Sequence, residues 1–321
     1  MSEFSPEFSP EFMSELAPVF AAIDCGTNAI RLLIARVEGE SVTDIVREMR
    51  TVRLGEGVDT EGEFSSAALE RTFAACREYA EILEQHDVTT LRFIATSASR
   101  DVSNHDVFFA GVRDALGVEP EVITGTEEAE LSYLGALSGL EVQGSVVVAD
   151  IGGGSTEFVT KLGNGELLAR SLNIGCVRMT ERHLHTDPPT QHEITSTVSD
   201  IDSALSAIAE SFPIDSYSTF IGLAGSVTTV AAMAMNLTEY DANLIHGSVV
   251  SSDQVNEVTS ELIGMTRQQR ATLGFMHPGR IDVIAGGALV LQESMRVLGF
   301  TQVLVSEKDL LDGVVLRLGA A

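Results

Sequence analysis

An apolar strand that ends in Asp, turns on small residues and returns as a second strand is written twice in this chain, at a constant offset of 126 residues. In the first copy Val19-Phe20-Ala21-Ala22-Ile23 runs into Asp24, Cys25-Gly26-Thr27-Asn28 supplies the turn, and Ile30–Val37 reads as the returning strand. In the second, Ser145-Val146-Val147-Val148-Ala149 runs into Asp150, Ile151-Gly152-Gly153-Gly154-Ser155 forms the turn, and Thr156–Lys161 returns. Asp24 falls on Asp150 and Gly26 on Gly152. Such a repeat points to two similar α/β halves, and 321 residues suffice for two medium-sized domains.

The intervening pattern fits that plan. Leu69, Phe73, Cys76, Ala80 and Leu83 recur at three and four, which predicts a helix over 67–86 capped by Ser65 or Ser66. A strand at Leu91–Ala95, a helix near His105–Leu116 and a short strand at Val118–Ile123 complete an alternating unit. Charge runs within 38–63 read as solvated faces. The second half continues with a strand at Leu167–Asn173, a helix near His192–Ser211 and a strand at Thr219–Leu223. Gly222–Ser226 then opens an apolar helix, followed by helices near Ser252–Ile263 and Ile281–Leu298, a strand at Gln302–Val305 and a closing helix at Leu310–Leu318. The expected division is 13–125 and 126–305, with 306–321 as a candidate completion of the first half. Residues 1–12 repeat Ser-Pro-Glu-Phe and read as a leader or disordered tail outside the fold.

Composition narrows the partners. Asp plus Glu total 47 against 20 Lys plus Arg, a formal charge of −27, which argues against broad electrostatic binding to nucleic acid or an anionic membrane. It leaves room for a small anion held by amides, a few Arg residues and a metal. No apolar run is long enough to span a bilayer and no secretory pattern is present. Cys25, Cys76 and Cys176 fall in no short pairing motif, which suits a reducing cytoplasm.

Each Asp-tipped turn has chemistry to offer. Glycine lets backbone N–H groups approach a phosphate, and the hydroxyls of Thr27, Ser155 and Thr156 add donors. A carboxylate repels phosphate, so Asp24 and Asp150 are suited to hold a divalent cation or its water. The Gly222–Ser226 turn offers amides at a helix N-terminus, or simply close packing. Glu127 and Glu128 begin a predicted helix, either complementing its dipole or, for one of them, orienting an attacking water. Arg100, after Thr96-Ser97-Ala98-Ser99, is a phosphate contact or a surface charge. Cys25 and Cys176 read as filler, and His183 with His185 as a solvated pair on a loop before Pro188-Pro189.

Together these residues resemble the exopolyphosphatase and guanosine pentaphosphate phosphohydrolase family, within the acetate-kinase, sugar-kinase, Hsp70 and actin superfamily. Ala22–Asn28 is similar to its first phosphate loop, Ala95–Arg100 to the following block, Thr124–Ala129 to the segment with its catalytic Glu, and Asp150–Glu157 to its second phosphate loop. Gly175–Arg178, Gly222–Ser226 and His277–Asp282 match further along, so the resemblance covers 18–318. It implies two ribonuclease-H-like domains around an interdomain cleft and a cytoplasmic, dimeric enzyme that removes terminal phosphate from inorganic polyphosphate with Mg²⁺ and water. Carried over by position, Glu128 is the general base, and Asp150, Glu157 and Asp24 organise metal and water. Gly26, Thr27, Asn28, Arg100, Gly153, Gly154, Ser155 and Thr156 bind phosphate in the same reading. The resemblance is to the short members of the family, which are expected to lack the helical domain that longer ones append.

Two departures stand out. Ala29 replaces a Ser common after the first loop, removing a hydroxyl donor. The usual Ser-Asp-x-Gly-Leu-Arg-Glu-Gly reads Ser306-Glu307-Lys308-Asp309-Leu310-Leu311-Asp312-Gly313 here, losing a Gly and an Arg. The motifs leave open hydrolysis of guanosine pentaphosphate, an ATP-using kinase, and a polyphosphate or nucleotide sensor without turnover.

Overall fold

The computed structural model describes residues 17–39, 41–95, 102–142, 144–214 and 218–320. The leader at 1–12 and the block at 96–101, with Arg100, lie outside the described residues.

The repeat seen in the sequence is carried into topology. The first sheet contains β1 (Val19–Cys25), β2 (Ala29–Glu38), β3 (Ser41–Thr51), β4 (Val88–Ala95) and β5 (Glu121–Val122), in the order β3-β2-β1-β4-β5. The second contains β6 (Val146–Ile151), β7 (Thr156–Lys161), β8 (Leu167–Leu172), β9 (Thr219–Leu223), β10 (Val249–Ser251) and β11 (Gln302–Val305), in the order β10-β11-β9-β6-β7-β8. Reading β8-β7-β6-β9-β11 reproduces the first sheet strand for strand. A three-stranded antiparallel meander is extended by two parallel strands in each, and β10 is an added edge. This is the mixed α/β, two-sheet architecture that the duplicated hairpin implied.

Helices cover both faces of each sheet, as parallel strands require. On the first, α1 (Ser66–Leu83) and α2 (His105–Leu116) bury Leu69, Cys76, Tyr79, Phe108 and Val112 against Ile23, Ile30 and Phe93. Ser65 accepts from Ala68 N and starts α1 where the sequence placed its cap. On the second, α3 (Gly125–Leu137) lies on one face. The other is packed by α5 (Gln191–Ser211), α6 (Ala224–Ala234), α7 (Ser252–Gly264) and α8 (Ile284–Leu298), with α4 (Cys176–His183) beside them. The last helix, α9 (Leu310–Gly319), returns to the first sheet, where Leu310, Leu311, Val314 and Val315 join Phe20, Leu33 and Ile94 in one core.

Helices α3 and α9 cross at bare backbone. A Cβ on Gly135 would stand 1.8 Å from Asp309 O, and one on Gly313 would stand 2.0 Å from Leu131 O. Only glycine permits that approach, and Ser306 Oγ strengthens it by donating to Ala136 O at 3.1 Å. Among the described residues no helix is long and apolar enough to cross a membrane.

Three local readings change. Residues 41–51, part of the stretch read as solvated faces, form the edge strand β3, on which Glu48 pairs with Arg50 while Arg47 reaches from Asp44 to the buried Asp312; charge on an edge strand blocks pairing with other chains. The strand read at Val118–Ile123 shrinks to the two residues of β5. His183 closes α4 instead of lying on a loop, and its Nε2 is 2.9 Å from Asp200 Oδ2.

Candidate active site between two Asp-tipped loops

The turns that follow β1 and β6 meet across one cleft. A Cβ on Gly153 would stand 3.0 Å from Thr27 Cβ and 3.3 Å from Asn28 N, so the two backbones are separated by little more than the width of a missing side chain. Asp24, Gly26, Thr27, Asn28, Glu128, Asp150, Gly153, Gly154 and Ser155 all line this cleft. Thr156 is fully buried and its hydroxyl donates to Ile174 O at 2.6 Å. Glu157 pairs across the sheet with Asp150, which puts the two side chains on the same face, and accepts from Ser171 Oγ at 2.6 Å.

Backbone accounting shows which groups of the loops are left to meet a ligand. In the second loop Cys176 N donates to Gly152 O at 2.9 Å, Val177 N to Gly153 O at 2.9 Å, and Arg178 Nε to Gly154 O at 2.6 Å. In the first loop Gly55 N donates to Thr27 O at 2.9 Å, and Val52 N and Arg53 N to Asn28 O at 3.1 and 2.9 Å. The carbonyls are thereby taken, whereas the amides of Thr27, Asn28, Gly153 and Gly154 find no acceptor among the described residues. Buried donors seek partners, and consecutive unpaired amides make a nest for oxyanions.

The acids are held differently. Asp24 Oδ2 accepts from Arg31 Nε at 3.0 Å and from the same guanidinium's terminal nitrogen, while Arg31 also grips Asp309 Oδ2. Asp24 Oδ1 is buried and has no hydrogen-bond partner among the described residues. Burial raises the Asp24 carboxyl above its ordinary range, and Arg31 opposes that rise. Asp150 accepts from Ser132 Oγ on α3 at 2.7 Å, and burial pushes its carboxyl up to about 6 against the pull of Arg31 and Ser132. Glu128 sits in the first turn of α3, which Thr124 caps by accepting from Glu127 N at 3.1 Å. Its side chain reaches the cleft while remaining 7% exposed, a dry position for a proton acceptor.

Several cleft residues escaped the sequence reading. Arg31 had a signal, because it stands opposite Asp24 in the hairpin register and so at the same distance from the turn. Arg280 had none. It comes from the single-turn segment Pro278–Arg280, and its guanidinium lies 2.2 Å from where a Gly225 Cβ would be, so the Gly222–Ser226 turn is bare to let that cation enter the cleft. Arg280 donates to Thr229 Oγ1 at 3.2 Å. His277 lines the same wall and accepts from Gly279 N at Nδ1, which places its ring proton on Nε2; burial and Arg280 hold it below the usual histidine range.

A hard divalent cation fits this donor set. The unpartnered Asp24 Oδ1 and the Asp150 carboxylate are oxygen donors at the cleft wall. Among the described residues no three His, Cys, Asp or Glu side chains gather into a cage of their own. Magnesium is held in this sparse manner, by one or two carboxylates with water and substrate phosphate completing its sphere.

Comparison with known proteins bears on the family. Exopolyphosphatase 2 of Mycobacterium tuberculosis is 50% identical over 314 residues, covering 93% of this chain and 98% of its own. The solved structure of an exopolyphosphatase-like protein superposes with a TM-score of 0.88 at 41% identity, over 94% of this chain and 98% of that one. A solved exopolyphosphatase from Cytophaga hutchinsonii gives 0.86 at 26% identity, over 94% and 98%. A guanosine-5'-triphosphate,3'-diphosphate pyrophosphatase of Aeromonas salmonicida is 26% identical over 93% of this chain, which spans 59% of that longer protein. Residues 33–319 match the Ppx/GppA phosphatase family, and the chain belongs to it.

Proposed function

We propose that the protein is an exopolyphosphatase, a hydrolase of the terminal phosphoanhydride bond of inorganic polyphosphate. The observation that carries this reading is the convergence of two amide nests and one dry carboxylate, Glu128, on a single cleft. The terminal phosphoryl group sits between the loops, and the amides of Thr27, Asn28, Gly153 and Gly154 receive its oxygens. Glu128 takes a proton from water as the water oxygen bonds to phosphorus, and the bridging oxygen leaves with the shortened chain. Asp150 and Asp24 Oδ1 would hold a divalent cation, magnesium in this reading, which supplies charge neutralisation on the phosphate oxygens when bound. Glu157, beside Asp150, helps to fix the attacking water, Ser155 and Thr156 support the second loop, and Arg100 is a further phosphate contact. Residues 13–125, completed by 306–321, form one lobe and 126–305 the other. A cytoplasmic setting is supported by three buried, unpaired thiols, Cys25, Cys76 and Cys176. A homodimer belongs to the same reading, to be tested by mass in solution.

Guanosine pentaphosphate is the second substrate to consider, because the cleft opens into a cavity with Tyr240, Phe275 and Met276 on its walls, apolar surface that a nucleoside can use. One experiment separates the two readings. Phosphate release is measured from polyphosphate and from guanosine pentaphosphate at equal concentration, with magnesium present or chelated. Faster release from polyphosphate, lost on chelation, is expected; release from the alarmone alone would transfer the assignment to it, and release from neither would end both.

A further inference from the structure

A phosphate chain held by its end must send its following units somewhere, and the cavity that adjoins the cleft shares Arg31 and Arg280 with it. A tract built to grip a polyanion would be left cationic. This one carries Arg31, Arg47 and Arg280 against Glu48, Glu307 and Asp309. Arg47 is occupied by Asp44 Oδ2 at 2.7 Å and Asp312 Oδ1 at 2.8 Å, and Arg31 by Asp24 and Asp309. Only Arg280 makes no ion pair among the described residues.

Asp309 is the acid that decides the state of Arg31 on the cavity side. Its Oδ1 accepts from Leu311 N at 2.9 Å and caps α9, and its Oδ2 takes the Arg31 nitrogen that Asp24 leaves. With its side chain 10% exposed, it is fixed in place. The α9 crossing uses the Asp309 backbone carbonyl and not its carboxylate, so the charge is not a requirement of the crossing.

We propose that Asp309 is a specificity-determining residue that limits how tightly long chains bind, by withholding Arg31 from the phosphates behind the terminal one. This rests on the exopolyphosphatase reading. An anion entering the cavity meets a guanidinium already shared by two carboxylates, and repulsion from Asp309 itself. Short substrates, whose charge stays within the cleft, feel little of either.

The test compares KM and kcat of the full chain on tripolyphosphate and on long-chain polyphosphate, for wild type, Asp309→Asn and Asp309→Gly. Asparagine keeps an oxygen for the helix cap while removing the charge; glycine removes the side chain altogether should the amide not fold. Removal of one nearby charge is expected to lower KM for the long chain about five- to tenfold and for tripolyphosphate by about twofold or less. An unchanged or raised KM for the long chain overturns the proposal, as does an equal fall in kcat on both substrates, which would make Asp309 a positioning residue for Arg31. An inactive wild type on both substrates overturns the exopolyphosphatase reading and this proposal with it, whereas an active wild type with an unaltered ratio overturns this proposal alone.

Discussion

Asp24 and Asp150 occupy the same place in two copies of one hairpin, yet their surroundings differ in kind. The first is clamped by a guanidinium that also holds Asp309. The second has a single hydroxyl, from Ser132, and a carboxyl that burial lifts to about 6. Duplication supplied two equal acids; their neighbours then made one an anchored charge and left the other free to change its protonation near neutral pH. The neighbour that completes the second site is Glu128, on the helix that also carries Ser132. In the proposed reading the reactive chemistry gathers on the side of the second sheet, while the first sheet presents a fixed counter-charge.

That contrast can be broken or sharpened by substitution. Glu128→Gln is expected to lose about 10²–10⁴-fold in kcat while still binding polyphosphate, checked by single-turnover kinetics and a binding titration; near wild-type turnover would remove Glu128 from the mechanism. Arg31→Met leaves Asp24 buried without a cation and is expected to cost about 3–5 kcal/mol in denaturant unfolding. Asp150→Asn should go the other way. It removes a charge that burial disfavours, so at pH 7.5 the variant is expected to be more stable by about 1–3 kcal/mol and nearly inactive. Equal effects of the two substitutions on stability would mean that the copies are equivalent after all.

The pH response follows with its sign. Folded Asp150 holds its proton up to about pH 6, against 3.8 for the ordinary carboxyl, so unfolding releases protons between those values. Its contribution to stability therefore rises as pH falls from above 6 towards 4, while activity that uses the ionised carboxylate falls through the same window. Asp150→Asn should flatten that part of the stability curve. The smallest effect is expected from Gly153→Ala, whose methyl would meet Thr27 Cβ at 3.0 Å and push the loops apart by a few tenths of an ångström. A severalfold rise in KM, with melting temperature nearly unchanged, is the expected outcome.

Much of this was legible because it is local. The two hairpins, the Ser65 cap, and the α2 and α9 helices are set by residues within a few positions of each other. Elements whose logic is remote were not. The strand β3 is specified by its partner β2 and by edge position, so its alternating acids and bases looked like plain surface. The role of Arg31 depends on Asp309, 278 residues away in sequence, and the entry of Arg280 depends on a missing side chain at Gly225. The carboxylates of the site were visible as residue types, but nothing near them in sequence shows that Asp24 is clamped by a guanidinium and Asp150 held by a hydroxyl.

The return of α9 to the first sheet also governs the order in which the molecule can be made. Phe20, Leu33 and Ile94 are covered by Leu310, Leu311, Val314 and Val315, residues that follow the last strand of the second sheet. A nascent chain leaving the ribosome can pair β1 with β2 and lay α1 over one side, but the other side stays bare until residues 310–316 have been made. Apolar surface of the first sheet is thus left open to mispairing for as long as the second sheet is being made, and the docking of α9 is the step that closes it.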